Sequence, residues 1–194
     1  MQQKEADVLI VGAGPSGTAC ALQLRNAGLS VTIMDKAGFP RDKTCGDALS
    51  VDVVNQLALI SPELAEAFEY FPPKVSSYGV RIVAPNQQHM DIPFYHQGKE
   101  KCGYLCTRFD FDNLLVEQLK KSHQITLIEN CQVKKIETST DHIKATTDEG
   151  VFVAKMMIGA DGAQSVVAKF LGTSTMERKH HSAGLRVYYE NISG

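Results

Sequence analysis

The stretch Asp7-Val8-Leu9-Ile10-Val11-Gly12-Ala13-Gly14-Pro15-Ser16-Gly17 decides the fold of this chain. Its first half is an apolar run rich in β-branched residues, which is typical of a strand covered by helices on both faces. Its second half is a glycine turn that leads into a helix with Pro15 at its first position. Gly12 favours a tight turn, Gly14 leaves room for a phosphate, and Gly17 lets the helix pack closely on the strand. The stretch therefore predicts a phosphate site at the carboxyl end of a central parallel strand.

An acid at a suitable distance supports this prediction. A second predicted strand, Leu29 to Met34, leads to Asp35, eighteen residues after Gly17, and the dinucleotide fingerprint calls for about 20. Such a carboxylate can accept hydrogen bonds from both hydroxyls of a ribose. The alternative is a chance glycine cluster followed by a solvated acid. We predict a dinucleotide-binding α/β fold with cofactor contacts at Gly12, Gly14, Pro15, Ser16, Gly17, Asp35 and Lys36.

Composition and charge exclude several classes of protein. The chain has 194 residues, of which 43% are hydrophobic and 22% charged, as in an ordinary globular protein with a sizeable core. Twenty basic and 22 acidic residues give a net charge of -2 without a dense basic run, so we expect no nucleic-acid partner. No apolar run is long enough to span a bilayer, and the amino terminus lacks a signal core. We expect a cytoplasmic protein, and a peripheral membrane contact stays open.

The cysteines favour a reduced protein without a metal site. They are odd in number, scattered and without a Cys-x-x-Cys pair, which argues against a disulfide scaffold. Cys102 and Cys106 have no histidine at zinc-finger spacing, so packed thiols are the better interpretation. The five are Cys20, Cys45, Cys102, Cys106 and Cys131.

The rest of the chain adds a second layer to the nucleotide-binding unit. Apolar and polar residues alternate over Tyr78–Val83 and again over His89–Phe94, which predicts an antiparallel hairpin. Asp110 is a candidate N-cap of the following helix. Further strands are predicted at Ile125–Glu129, Gln132–Thr138, Ile143–Thr147, Val151–Ile158 and Leu185–Glu190.

Three separated stretches together resemble one flavoprotein family, which contains the aromatic hydroxylases, the flavin-dependent halogenases and the geranylgeranyl reductases. They are the glycine turn with Asp35, the stretch Arg-x-Asp-Phe-Asp-x-x-Leu that begins at Arg108, and the pair Asp161-Gly162. The resemblance implies a Rossmann-like FAD-binding domain of the GR2 type, with a central parallel sheet and the start of an antiparallel substrate-domain sheet. FAD is the implied cofactor, with NAD(P)H as a transient reductant. The expected domains are 1–75 with 101–175 for FAD, and 76–100 with 181–194 for a partial substrate-binding sheet.

The same resemblance implies roles for further residues. Arg108 would contact the ribityl and pyrophosphate portion of the flavin, Asp161 a ribityl hydroxyl, and the backbone near Val133 the adenine. The alternatives are that Arg108 only caps its helix or pairs with Asp110, and that Asp161 only makes a turn with Gly162.

A loop favours the geranylgeranyl reductases within the family. In Lys43-Thr44-Cys45-Gly46-Asp47-Ala48-Leu49-Ser50, all positions of the family's Cys-Gly-acid-Gly-Leu-Ser pattern match except Ala48, which replaces a glycine. The pattern implies that Cys45 and Gly46 lie beside the isoalloxazine ring. A packed loop thiol is the alternative.

The resemblance leaves three functions open. The first is reduction of isoprenoid carbon–carbon double bonds by hydride from reduced flavin, the second an NAD(P)H-dependent monooxygenase or halogenase, and the third a non-catalytic carrier of prenylated proteins. We expect a hydrophobic small-molecule substrate; the sequence identifies no proton donor and no oligomeric state. Family members are much longer, so we expect this stretch alone to bind FAD weakly and to turn nothing over.

Overall fold

The computed structural model describes residues 3–96, 98–172, 178–180 and 182–191. They form two compact units, Met1–Arg41 with Asp112–Ala183, and Asp42–Phe111 with Gly184–Gly194. The expected domains also include 1–2, 97, 173–175, 181 and 192–194, which lie outside the described residues. Because compact units and domains need not share boundaries, the domain boundaries stay a prediction.

The described residues form thirteen strands and five α-helices. The strands are β1 Gln3–Val11, β2 Val31–Met34, β3 Ala48–Leu49, β4 Lys74–Ser77, β5 Gly79–Val83, β6 His89–Pro93, β7 Tyr95–His96, β8 Lys99–Glu100, β9 Gly103–Cys106, β10 Ile125–Ile128, β11 Val133–Thr138, β12 Ile143–Thr147 and β13 Gly150–Gly159. The helices are α1 Pro15–Leu24, α2 Val51–Ile60, α3 Pro62–Glu69, α4 Arg108–Lys120 and α5 Val166–Phe170, with a 3₁₀ turn at Arg178–His180.

The first unit is built on a six-stranded sheet in the order β10-β2-β1-β13-β12-β11. Strand β1 pairs in parallel with β2 on one side and β13 on the other, and β10 pairs in parallel with β2. Strands β12 and β11 complete the sheet in antiparallel pairing. This arrangement confirms the α/β fold with a central parallel sheet.

The core of the first unit explains why its strands are so apolar. Residues Val8–Val11 of β1 and Val31–Met34 of β2 are buried, as expected for strands covered on both faces. One buried cluster joins Leu9 and Met34 to Phe152 of β13 and Val167 of α5. Burial of this apolar surface supplies the main favourable term in folding.

The second unit has smaller sheets and a core of its own. Its sheets are β3-β9-β4, the hairpin β5-β6 and the pair β7-β8. Phe68 of α3 is buried and makes edge-to-face contacts with Tyr104, at 5.3 Å between ring centroids, and with Phe111, at 6.0 Å. The antiparallel hairpin predicted from the sequence is present, and its assignment to a substrate domain stays a prediction.

The structure corrects two expectations. Residues Leu185–Glu190 do not form a strand, because the described residues 182–191 contain no regular secondary structure. Polar side chains of this segment bind loop carboxylates instead. Asp110 is not an N-cap, since α4 begins at Arg108. The Thr107 hydroxyl accepts the Asp110 N–H at 3.1 Å and donates to the Asp110 carboxylate at 2.5 Å, so Asp110 is the third residue of the helix.

Candidate functional site

The glycine turn after β1 has no room for side chains. Gly12 has a φ of +101°, and a Cβ there would lie 2.4 Å from the carbonyl oxygen of Ala160. A Cβ on Gly17 would lie 1.9 Å from the Gly12 carbonyl oxygen. Both distances are far below van der Waals contact, so only glycine lets the turn, α1 and the end of β13 pack this closely.

Helix α1 presents its amino terminus at this turn. Gly14 is the N-cap in an extended conformation, Pro15 begins the helix, and Ser16 is exposed. Within the part of the chain that is described, no side chain caps this helix end. The first N–H groups of a helix have no intrahelical acceptor and carry partial positive charge. This end of α1 has the chemistry that a phosphate requires.

Asp35 holds the glycine turn in place. The buried carboxylate accepts the N–H of Ala13 at 2.8 Å through Oδ2 and the N–H of Ala37 at 2.9 Å through Oδ1. The hydroxyl of Thr18 also holds the turn, because it donates to the Ala13 carbonyl at 2.9 Å. Each Asp35 oxygen has a second lone pair, so both still have capacity to accept a ribose hydroxyl. Lys36, the next residue, is exposed.

Asp161 lies next to the glycine turn and caps α5. Its carboxylate accepts the Ser165 hydroxyl at 2.5 Å and the N–H of Val166 at 2.6 Å. Gly162 follows with a φ of +77°. A Cβ on Gly12 would come within 2.8 Å of the Asp161 Cα, so the structure brings these two predicted site residues together.

Val133 lies elsewhere in the first unit. It is the buried first residue of β11, the outermost strand of the sheet on the β13 side. It pairs with Thr147, and the register shifts between Val133 and Lys135. Two strands, β13 and β12, separate β11 from β1, so Val133 is not part of the glycine turn itself.

The second unit brings Arg108 within hydrogen-bond reach of Cys45, which lines a cavity. The exposed Cys45 and Gly46 line a cavity of about 390 Å³, whose apolar wall includes Val75 and Leu105. The backbone N–H of Asp47 lowers the pKa of the Cys45 thiol most strongly, and a hydrogen bond from Arg108 lowers it further. The thiolate is thus more accessible at neutral pH than in an ordinary cysteine.

Three residues that are joined by hydrogen bonds at this cavity were not among the predicted cofactor contacts. Asp47, Arg186 and Tyr188 also line it, and Asp47 hydrogen-bonds to the other two. Asp47 has a φ of 55°, a conformation that aspartate tolerates better than most residues. The acid in the Cys-Gly-Asp loop was the only sequence signal, because its two partners follow about 140 residues later.

The described residues contain neither a cluster of metal ligands nor a helix that could span a membrane. Among residues 3–96, 98–172, 178–180 and 182–191, no three His, Cys, Asp or Glu side chains are grouped so that they could hold a metal ion. Over the same ranges, no helix has the length and apolar character needed to cross a membrane.

The sequence of this chain matches a known protein family over almost its whole length. Residues 5–190 match the FAD binding domain family. The chain belongs to this family. FAD is therefore its cofactor, as the sequence predicted. The amino terminus of α1, which no side chain of the described residues caps, suits the pyrophosphate of a dinucleotide.

Several relatives of this FAD-binding domain are named as reductases. It is 30% identical over 169 residues to a geranylgeranyl diphosphate reductase of Rhodobacter capsulatus, covering 83% of this chain and 38% of that protein. It is 29% identical over 189 residues to a menaquinone reductase of Mycobacterium tuberculosis, covering 94% and 44%. A digeranylgeranylglycerophospholipid reductase of Methanosphaera stadtmanae is 29% identical over 177 residues, covering 87% and 42%. The chain thus spans less than half the length of these relatives.

Solved structures share the fold. Halogenase PltM in complex with phloroglucinol and FAD matches with a TM-score of 0.72 at 22% identity, over 86% of this chain and 36% of that one. The p-nitrophenol 4-monooxygenase PnpA of Pseudomonas putida DLL-E4 matches with a TM-score of 0.73 at 22% identity, over 89% and 44%. At this identity the likeness establishes the fold of the FAD-binding domain and no more.

Proposed function

We propose that this FAD-binding domain belongs to an oxidoreductase that reduces carbon–carbon double bonds of an isoprenoid. The observation that carries the proposal is the Cys45 cavity, whose walls are largely apolar and whose rim contains the Cys-Gly-Asp loop. Relatives named as reductases of geranylgeranyl compounds support it at 28% to 30% identity. An apolar wall favours a hydrophobic small-molecule substrate.

Residues of the first unit would hold the dinucleotide part of FAD. The uncapped amino terminus of α1 would receive the pyrophosphate, and Asp35 would accept hydrogen bonds from a ribose. In the same unit Asp161 would bind the ribityl chain, and the backbone at Val133 the adenine. The remaining proposed contacts of this unit are Gly12, Gly14, Pro15, Ser16, Gly17, Lys36 and Gly162.

Residues of the second unit would meet the flavin end. Arg108 would offer a charge-assisted donor, and Cys45 and Gly46 would lie beside the isoalloxazine ring. Bound FAD, once reduced by NAD(P)H, supplies the hydride for this class of reaction. The apolar residues of the cavity would exclude water from the double bond.

An anaerobic reduction experiment tests the proposal. The complete protein is purified, and its visible spectrum establishes whether flavin is bound. Reduced flavoprotein is then mixed, without oxygen, with a geranylgeranyl lipid and, as a control, with its fully saturated counterpart. We expect flavin reoxidation and gain of hydrogen only with the unsaturated lipid, measured by absorbance and mass spectrometry. A bound flavin that neither lipid reoxidises would exclude the reductase.

A flavin monooxygenase or halogenase is the second candidate. A rifampicin monooxygenase of Rhodococcus hoagii that is 27% identical over 184 residues favours it. In that case NAD(P)H oxidation would require oxygen and an aromatic substrate, and the lipid would have no effect. A protein purified without flavin that cannot be reconstituted with FAD would instead favour the prenyl-protein carrier.

A further inference from the structure

Asp47 is a junction between the Cys45 loop and the core of the second unit. Its carbonyl oxygen accepts the N–H of Cys106 at 2.8 Å, which continues the pairing of β3 with β9. Its carboxylate Oδ1 accepts the N–H of Arg108, the first residue of α4, at 3.3 Å. One residue therefore ties the loop both to a strand and to the start of a helix.

The same carboxylate holds the segment 184–191. Oδ1 of Asp47 also accepts from Arg186 at 3.3 Å, and Oδ2 accepts the hydroxyl of Tyr188. The guanidinium of Arg186 lies 4.6 Å from the ring centroid of Tyr188. Residues 182–191 have no regular secondary structure, so side-chain contacts such as these attach the segment to the loop.

A second acid, Asp42, also binds Arg186. Asp42 accepts two hydrogen bonds from Arg186 Nη2, at 2.7 and 2.6 Å, and the carbonyl of Lys43 accepts one from Nη1 at 3.1 Å. Asp42 and Asp47 thus flank Cys45 in sequence and both bind Arg186. Asp47 also accepts hydrogen bonds from backbone N–H groups of strand β9 and helix α4.

We propose that Asp47 is a positioning residue for Cys45, which fixes the Cys45 loop against β9 and α4 and fastens residues 184–191 as a wall of the adjoining cavity. The proposal rests on the proposed function only for the use it gives to Cys45. The contacts themselves involve residues of this chain alone.

Charge and acidity agree with this assignment. The backbone N–H of Asp47 is the main cause of the lowered pKa of Cys45, so a displaced Asp47 would raise that pKa. The hydrogen bond to Asp47 raises the pKa of Tyr188, as expected for a phenol that donates to a carboxylate. The charged or titratable groups around Cys45 and Asp47 are Arg108, Asp42, Arg186, Tyr188 and Cys106.

Substitution of Asp47 by asparagine is the most informative test. Asparagine also tolerates a positive φ, but it offers one acceptor oxygen and turns an NH₂ group toward donors. The Tyr188 hydroxyl can accept from that NH₂ group, but Arg186 loses the negative charge to which it donates. In purified Asp47→Asn protein we expect amide exchange of residues 184–191 to rise about tenfold. The pH midpoint of Cys45 alkylation by iodoacetamide should move upward, because loss of the Asp47 N–H contact through loop displacement outweighs loss of the carboxylate charge.

Asp42→Asn is the matched control. It removes the paired contact with Arg186 and leaves the Asp47 contacts in place, so exchange of residues 184–191 should rise while the Cys45 midpoint stays the same. Tyr188→Phe removes one hydrogen bond to Asp47 and serves if Asp47→Asn does not fold; it should also raise exchange of the segment. The proposal would be overturned if Asp47→Asn changed neither the pH midpoint of Cys45 alkylation nor the amide exchange of residues 184–191. If only Tyr188→Phe folds, the same two results in that variant would overturn it. Both readouts work without FAD or lipid, so they are independent of the reductase assay.

Discussion

The two units bury their strands to different degrees. In the first unit, Val8–Val11 and Val31–Met34 are buried on both faces of a six-stranded sheet. In the second unit, all residues of β5 and β6 are exposed except the half-buried Gly79. Four large apolar side chains are among them, namely Val80, Ile82, Met90 and Ile92. The first unit therefore buries whole strands in its sheet, whereas the buried residues of the second unit lie outside its β5-β6 hairpin.

The candidate sites differ in the same way. In the first unit the site is mostly backbone: a glycine turn, a helix end and one carboxylate that bonds to two N–H groups. In the second unit it is mostly side chains around a cavity. A backbone site tolerates few substitutions because the chain itself must fit, whereas a side-chain site can change its specificity while the fold persists.

The largest effect should come from filling the glycine turn. Gly17→Ala places a methyl group 1.9 Å from the Gly12 carbonyl, so α1 must shift away from β1, at a cost of about 3 kcal/mol in the free energy of unfolding. We expect loss of FAD from the complete protein as well. Urea unfolding and the flavin absorbance measure the two effects.

Gly28→Ala is the control for this prediction. Gly28 has a φ of +71° but open space around its Cα, so alanine should cost about 1 kcal/mol from backbone strain and leave FAD bound. If Gly17→Ala and Gly28→Ala lost the same amount of stability and of bound FAD, the turn would not depend on close packing at Gly17.

A smaller effect is expected when the carboxylate beneath the turn is removed. Asp35→Ala leaves the N–H groups of Ala13 and Ala37 without their charged acceptor, and we expect FAD affinity to fall by about 2 kcal/mol. Titration of the apoprotein with FAD gives this value. Asp141→Ala, in an exposed turn of the same unit, should bind FAD like the wild type, and an unchanged affinity in Asp35→Ala would contradict the assigned role.

An ion pair of the first unit should give a smaller, pH-dependent effect. Lys155, at 2.7 Å, and the N–H and hydroxyl of Ser30 lower the pKa of Asp7 below its ordinary value of 3.8. A lowered folded-state pKa stabilises the protein above 3.8, and this stabilisation is lost as the pH falls below it. Thermal unfolding of Asp7→Asn should therefore occur below the wild-type temperature at neutral pH, and the difference should vanish in acid.

The second unit supplies the comparison for that ion pair. Arg81 and Asp91 form a salt bridge at 2.6 Å between neighbouring strands of an exposed hairpin, where ion pairs contribute little. Asp91→Asn should unfold close to the wild-type temperature. If Asp91→Asn lowered the unfolding temperature more than Asp7→Asn does, the ion pair of the second unit would be the more stabilising of the two.

The smallest effect on stability is expected at the cavity. Cys45 is exposed, so Cys45→Ser should leave the unfolding temperature unchanged. If the thiol lies beside the flavin, however, the visible spectrum or the reduction potential of the complete protein should shift. Cys102→Ser, at a half-buried cysteine of the same unit, should shift neither, and an unaltered spectrum and potential in Cys45→Ser would refute the placement.

The features that sequence predicted best are local ones. The glycine turn, the buried strand before it and the β5-β6 hairpin each depend on patterns within a few neighbouring residues. The family match then confirmed FAD. The individual cofactor contacts stay predictions, since Asp35 and Asp161 both have structural partners within the chain.

The features that sequence missed depend on distant parts of the chain. Alternation over Leu185–Glu190 is typical of a strand, but Arg186 and Tyr188 bind Asp42 and Asp47 instead. A hydropathy pattern carries no information about which carboxylates a segment will meet. The buried Asp112, which pairs with Arg41 at 3.1 Å, escaped prediction for the same reason.

The pairing of β1 with β13 also sets the order in which the protein can fold during its synthesis. Residues Gln3–Val11 cannot complete the sheet until Gly150–Gly159 have left the ribosome, and at roughly 5 to 20 residues per second this takes on the order of ten seconds. The sheets of the second unit pair residues between Ala48 and Cys106 and need not wait. We expect the apolar run Val8–Val11 of the nascent chain to be a target for chaperones throughout that interval.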